Sequence, residues 1–355
     1  MKSEILANTI ENLPICIGSG LVALDVVISN NSNNPTQFLA GGSCGNVLTI
    51  LSFLGWQSYP VARLSNDNAA ELLIEDLQKW NVSDNLITIT EKGSTPIIIH
   101  RILKDKMGQP KHRFEFRNPE DGAYLPSYKP CLAASVNSLT EIQPNANVFY
   151  FDRMNRASID LAKYYRKNGG IVFFEPSNAK DVKMFNECLA ISDVVKFSVD
   201  RIPNFDEFHL INDLPLVIQT LGEAGLRYKR KNSIEWKTLE SYKIENVVDS
   251  AGAGDWCSAG IIKTLFKKQV SLLSLDDDII HKALEFGQAL GSLNCTYEGA
   301  RGLMYAITNS ELMLYVSHIN SQSIKKIPNK NRNSQIAGSI TKPLKISSLF
   351  NSKNL

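Results

Sequence analysis

Val247-Val248-Asp249-Ser250-Ala251-Gly252-Ala253-Gly254-Asp255-Trp256-Cys257-Ser258-Ala259-Gly260 is the stretch on which the fold turns. The preceding run Ile244-Glu245-Asn246-Val247-Val248 is short and largely apolar, and it reads as a strand. A glycine-spaced turn follows, and then Trp256-Cys257-Ser258-Ala259-Gly260-Ile261-Ile262-Lys263-Thr264-Leu265-Phe266, which has helical spacing. A turn that feeds a helix leaves backbone N–H groups without intrahelical partners, and with the helix dipole they favour an anion. Gly252 and Gly254 carry no Cβ, so an anion can approach the backbone closely. Asp255 is the odd residue, because a carboxylate beside an anion is costly by charge alone. It reads either as a helix cap or as a base that takes a proton from a hydroxyl attacking a phosphoryl group.

The 355 residues are 43% hydrophobic and 21% charged, enough for one large α/β domain or two smaller ones. A net charge of +2 gives no field that argues for nucleic acid or a membrane surface. The six cysteines, at 16, 44, 131, 188, 257 and 295, form no metal or disulfide spacing and read as small buried residues of a reducing compartment. No segment approaches a membrane span and the N-terminus has no leader pattern, so the expected location is the cytoplasm.

Residues 15–29 are β-rich, with a break at Gly18–Gly20. Gly18-Ser19-Gly20-Leu21-Val22-Ala23 also fits the dinucleotide pattern G-x-G-x-x-A, but β-branched residues follow where that motif needs a helix. Asp25 lies inside the apolar run, either exposed on an edge strand or accepting from substrate hydroxyls. Asn30–Pro35 is a polar turn. Gly41-Gly42 then opens a helix with apolar residues at Val47, Ile50, Leu51 and Leu54, which ends at Gly55. Residues 59–82 read as strand, turn and helix, and 95–117 as a hairpin turning at Lys104–Lys111 around Gly108. The runs 146–152 and 170–177 are buried strands around a helix stopped by Gly169, an alternation that implies a parallel sheet with right-handed crossovers. Residues 188–202 repeat the pattern, 214–232 are strand, turn and strand, and 280–301 are helical up to Gly299. After Glu311 the chain has no acidic residue, and about 320–355 reads as a partly disordered basic tail.

Asp249–Asp255 resembles the second signature of the PfkB-type, ribokinase-like carbohydrate kinases, D-T-x-G-A-G-D, with Ser250 in place of Thr. Gly41-Gly42, Asn46 and Leu54-Gly55 resemble the first signature, and Thr220-Leu221-Gly222-Glu223-Ala224-Gly225 resembles T-L-G-x-x-G. Phe116-Arg117-Asn118-Pro119 is similar to a stretch of the fructokinase-like branch. The resemblance implies Asp255 as base, the N–H groups of Ala253, Gly254 and Asp255 as the anion hole, and Gly252 beside them in the catalytic turn. It implies Asp25, Gly41, Gly42 and Asn46 on the sugar, and Lys196, Ser198, Thr220, Gly222, Gly225 and Gln288 around the nucleotide. ATP is the implied donor, with Mg²⁺ bridging its phosphates and no residue assigned as a metal ligand. The chain departs from the pattern at Ser65 and Ala70 for glycines, at Arg201 for a glutamate that organises the magnesium-bound phosphates, and at Gln288 for an asparagine. Asp200 or Glu207 could stand in for that glutamate. Arg101, Arg113 and Arg117 are candidates for contacts from the lid, or simply solvated.

The expected fold is therefore ribokinase-like α/β. It is a doubly wound, mostly parallel sheet flanked by helices, over residues 1–315, with a small β-sheet lid from about 19–38 and 95–117 and a tail over 316–355. The expected activity is ATP-dependent phosphorylation of a hydroxymethyl group on a sugar or sugar-like molecule. A nucleoside kinase and a retired kinase fold used for ligand sensing are the alternatives. No nucleic acid or membrane partner is expected, and the resemblance allows a homodimer through the lid.

Overall fold

The computed structural model describes residues 13–29, 35–104, 110–233, 235–267, 272–320, 326–327 and 345–350. The turn at Asn30–Asn34, the tip of the Lys104–Lys111 turn and most of the basic tail lie outside the described residues. A nine-stranded sheet forms the frame, in the order β13-β12-β11-β10-β9-β8-β1-β4-β5. Its parallel core comprises β1 (Ile15–Ser19), β4 (Gln57–Leu64), β5 (Ile87–Ile89), β8 (Val148–Phe151), β9 (Ile171–Phe174), β10 (Val194–Ser198) and β11 (Leu216–Thr220). The antiparallel strands β12 (Leu226–Arg230) and β13 (Lys237–Leu239) close one edge.

The central strands are continuous apolar runs because both faces are covered. Val148, Tyr150, Phe173, Val194, Leu216 and Ile218 point into one core. Phe149, Phe151, Val172, Phe174, Val195 and Val217 alternate with them and point into the other. The first core is covered by α1 (Ser43–Phe53), α2 (Asn68–Lys79), α6 (Ala253–Leu265) and α7 (Asp277–Asn294). The second is covered by α3 (Val136–Ile142), α4 (Arg156–Lys167) and α5 (Val182–Ile191). Two short helices, α8 (Gly302–Ala306) and α9 (Asn309–Asn320), follow α7.

The lid is a separate four-stranded sheet, β3-β2-β6-β7, made of β2 (Ala23–Ile28), β3 (Gln37–Gly41), β6 (Ile97–Lys104) and β7 (Pro110–Glu115). β3 runs on to Gly41, past the expected bound at 38, and so delivers the Gly41-Gly42 pair straight from this sheet into α1.

Two expectations need correction. Ile244–Val248 is not a strand running into the glycine turn. Only β14 (Lys243–Ile244) is extended, in parallel pairing with β15 (Lys326–Ile327). The N–H groups of Val248 and Asp249 donate instead to Cys295 O at 2.8 and 3.2 Å, and Val247 stays 41% exposed. The helix expected up to Gly299 ends at Asn294. The Asn294 side chain donates to Ala251 O at 3.0 Å and Gly299 O at 3.3 Å, which turns the chain back onto the glycine turn. Five cysteines are buried as expected and Cys131 is half-buried; all six are unpaired.

Residues 345–350 return to the body of the fold. Ile346 and Leu349 are buried in the first core. Asn68 Nδ2 donates to Ser348 O at 2.9 Å, and Ile346 N donates to Glu120 Oε1 at 2.8 Å. Leu349→Ala should therefore lower unfolding free energy by about 2–5 kcal/mol in a urea titration, the range for a truncated buried leucine. An unchanged midpoint would show that this turn adds nothing to the core.

Candidate active site

The glycine turn and the start of α6 sit above the C-terminal ends of the parallel strands. Gly252 caps α6 with φ 75°, a left-handed conformation that glycine adopts at little cost. A Cβ there would lie 2.1 Å from Ala300 O, so packing demands glycine as well. Trp256 N makes the first helical bond, to Gly252 O at 2.9 Å, and Ala253 N donates weakly to Ser250 O at 3.4 Å. Gly254 and Asp255 are thus the stronger donors of the expected anion hole. Gly254 is different in kind. It is exposed, its φ is ordinary, and a Cβ would meet nothing nearer than Lys196 Nζ at 3.9 Å. Nothing inside the protein requires glycine there, but the close approach of a ligand would.

Beneath this first turn lies a buried polar cluster drawn from three strands. Lys196 on β10 is 1% exposed and donates to Glu175 Oε1 at 2.7 Å and to Gly254 O at 3.1 Å. Glu175, just beyond β9, also accepts from Ser258 Oγ of α6 at 2.5 Å and from Tyr150 OH of β8 at 3.2 Å. Burial works against the Lys196 charge, but Glu175 outweighs it and the ammonium is held above its usual range. Lys196 therefore supports the turn from below. It reaches the glycine turn through the Gly254 carbonyl.

Asp255 is joined to the substrate side. Asn46, one turn into α1, donates from Nδ2 to Asp255 Oδ2 at 2.8 Å. Burial and then the Glu175 charge push the Asp255 carboxyl up to about 7, against Asn46, Lys196 and Arg201. That value suits a group that accepts a proton near neutrality. Gly42 caps α1 with φ 75°, and a Cβ on it would lie 2.5 Å from Leu21 O. Asp25 on β2 is 8% exposed and fills the space beside Gly41, where a Cβ would fall 2.0 Å from Asp25 Oδ2. Burial raises Asp25 to about 7, opposed by Arg301 and the Gly42 N–H. Asp25 Oδ1 and Asn46 Oδ1 are both buried without a hydrogen-bond partner in the protein. Two orphaned buried acceptors, one on β2 and one on α1, suit a polyol, whose hydroxyls donate.

The remaining expected residues line the same edge of the sheet. Ser198 and Thr220 end β10 and β11 as register partners. Ser198 Oγ accepts from Asp200 N at 3.2 Å. Gly222 and Gly225 shape the next turn with φ 62° and 99°, and a Cβ on Gly225 would lie 2.1 Å from Leu239 O. Gln288 of α7 is buried and donates to Glu240 O at 3.5 Å, beside that turn. The departures at Ser65 and Ala70 are accommodated. Ser65 Oγ donates to Asp67 Oδ2 at 2.5 Å, and Asp67 caps α2 by accepting from Ala70 N at 2.8 Å.

Sequence reading missed three positioning residues. Asp152, at the end of β8, accepts from Leu21 N at 2.9 Å and from Ser43 Oγ, fixing the entry to the lid and the start of α1. Arg301 and Asp76 are buried together, Nη2 to Oδ2 at 2.6 Å. Asp76 accepts from Ala40 N at 2.8 Å while Arg301 donates to Ala40 O, so both backbone groups of the residue before Gly41-Gly42 are held. The only sequence signals were charged residues at the ends of, or inside, apolar runs.

The pfkB family carbohydrate kinase model matches residues 16–306. The chain belongs to the pfkB family of carbohydrate kinases. Membership makes it a phosphotransferase acting on a sugar hydroxyl, with ATP as donor. It is 23% identical over 320 residues to the Arabidopsis thaliana protein named probable fructokinase-2, spanning 82% of this chain and 92% of that one. The fold matches Vibrio cholerae fructokinase, solved with fructose, ADP and calcium, at TM-score 0.64 and 18% identity over 85% of this chain and 98% of that one. It also matches aminoimidazole riboside kinase of Salmonella enterica, solved with its riboside and an ATP analogue, at TM-score 0.62 and 16% identity over 85% and 99% of the two chains.

The two glycines of the turn make opposite predictions. Gly254→Ala should leave stability unchanged or raise it by up to about 1 kcal/mol, the helix preference of Ala over Gly, while turnover falls at least about tenfold. Gly252→Ala should lower the melting temperature. A stable, fully active Gly254→Ala enzyme would remove the ligand from that position.

Proposed function

We propose that this kinase transfers the γ-phosphoryl group of ATP to a hydroxymethyl group of a sugar or sugar-like substrate of the fructokinase type. The observation that carries the reading is the Asn46–Asp255 hydrogen bond at 2.8 Å. It joins the residue pair best placed to hold hydroxyls to the one group placed to deprotonate them, at the mouth of a helix start that attracts anions. Sugar hydroxyls donate to Asp25 Oδ1 and Asn46 Oδ1, which orients the ring. Asp255 accepts the proton of the attacking hydroxyl as its oxygen forms the new bond to phosphorus. The bond from that phosphorus to the bridging oxygen breaks, and its electrons leave with ADP. The N–H groups of Gly254 and Asp255 bind the oxygens of the transferred group.

Ser198, Thr220, Gly222, Gly225 and Gln288 are assigned to the nucleotide rim. Mg²⁺ is assigned to the ATP phosphates. The phosphate oxygens of the nucleotide would supply its ligands. Exposed Arg201, whose charge draws Asp255 downward, adds a cation on that side where the family pattern has glutamate. A homodimer through the lid is supported by Phe114 and Phe116, 45% and 57% exposed on and just beyond β7. Among the described residues no helix is long and apolar enough to cross a membrane, and six unpaired thiols support a cytoplasmic setting.

ADP release from Mg-ATP across a panel of ketoses, aldoses, sugar acids and nucleosides tests the reading. One sugar class should turn over, and Asp255→Asn should lose about 10²–10⁴ in kcat, the scale of general-base catalysis. Turnover of nucleosides alone, or an active Asp255→Asn, would overturn it.

The pH profile is a separate check. Asp255 must be deprotonated to accept a proton, and its carboxyl sits at about 7. Activity should therefore fall as pH drops below that value, with Asp25 steepening the same limb because it is also raised to about 7. A flat kcat/KM from pH 5.5 to 8, taken as roughly one unit or more either side of the titration, would contradict this.

A further inference from the structure

The helices that build the active site all have far ends, and these converge. Leu54 and Trp56 follow α1, which carries Asn46; Lys263 lies near the end of α6, which starts at the anion hole; Lys282 and Phe286 lie on α7, which carries Gln288. Together they line a cavity of about 600 Å³ on the side of these helices away from Asp255. Its apolar lining is Leu54, Trp56 and Phe286, and its charges are Lys263, Lys267 and Lys282. No carboxylate is among the described residues that line it.

Three ammonium groups around one concavity repel each other unless something offsets them. None of the three is in an ion pair among the described residues. Lys263 is half-buried; its Nζ rests 3.3 Å from Met313 Sδ and 5.6 Å from the centre of the Phe286 ring, both weak partners for a cation. Burial and then the Lys267 charge hold Lys263 below the usual lysine range, as befits a cation with no counterion. Interaction with the helix dipole accounts for Lys263 in the last turn of α6 but not for Lys282 in the body of α7. An apolar floor ringed by unpaired cations has the chemistry of a receptor for a small amphipathic anion.

We propose that this cavity is a second ligand site, selective for a small organic anion with a flat apolar body and a phosphate, sulfonate or carboxylate head. The body lies on Trp56 and Phe286, and the head meets Lys263, Lys267 and Lys282. The site is separate from the nucleotide cleft, although its occupant would bear on the three helices that position Asn46, Asp255 and Gln288.

Anilinonaphthalene sulfonate has the required shape and charge and reports binding by fluorescence. The dye can also enter the nucleotide cleft, so the reading is taken from the part of the saturable binding that the lysine variants change, for which inorganic phosphate should compete at much higher concentration. Lys267 and Lys282 are exposed, so K267E/K282E should fold and turn over as wild type while its dye Kd rises about tenfold or more. If that variant melts early, K267Q/K282Q is measured instead, with a smaller rise in the same direction. No saturable binding, or an unchanged Kd in the folded variants, would overturn the proposal.

Discussion

The buried ion pair between Glu175 and Lys196 is the constraint on which the site depends. It joins the residue just beyond β9 to the middle of β10 and reaches up to α6 through Gly254 O and Ser258 Oγ. The proposed anion-binding helix start has to stay rigid while its own backbone donors are left for the ligand. This chain meets both needs by holding the first turn through a carbonyl and a side chain, on the face away from the ligand. The same pair sets the charge balance around Asp255. Glu175 pushes its carboxyl up and Lys196 pulls it down, and burial decides the outcome near neutrality.

The substrate side is locked to this platform from two directions. Asn46 bonds Asp255 directly, and Arg301 with Asp76 grips Ala40 just before the glycines that open α1. Arg301 comes from the loop packed under the glycine turn, where Trp256 Nε1 donates to Ala300 O at 3.1 Å. β3, the glycine turn and Asp255 are therefore parts of one hydrogen-bonded body. Arg301 also lowers the Asp25 carboxyl electrostatically, which ties the ionisation of Asp25 to the same contact.

Much of this was legible in the sequence because local backbone chemistry dictates it. Glycine spacing located the turn before α6, Gly41-Gly42 located the start of α1, and uniformly apolar runs such as Val148–Phe151 announced parallel strands buried on both faces. What stayed hidden depends on partners far along the chain. Asn46 and Asp255 are 209 residues apart, and Asp76 and Arg301 are 225 apart, so no periodicity connects them. Ile244–Val248 misled for a related reason. Its composition suits a strand, but its backbone partners lie in the loop after α7 and not in the sheet. Residues 345–350 were hidden inside a polar, basic tail, where two apolar side chains are too few to signal a docking turn.

The most direct test of the account is a double-mutant cycle on the pair beneath α6, read by urea unfolding. Lys196→Met alone strands a buried carboxylate and should cost about 3–5 kcal/mol, whereas Lys196→Met combined with Glu175→Gln should recover a substantial part of that loss. Additive losses from the two single changes would contradict the claim that this ion pair is the support on which the anion hole and the base are built.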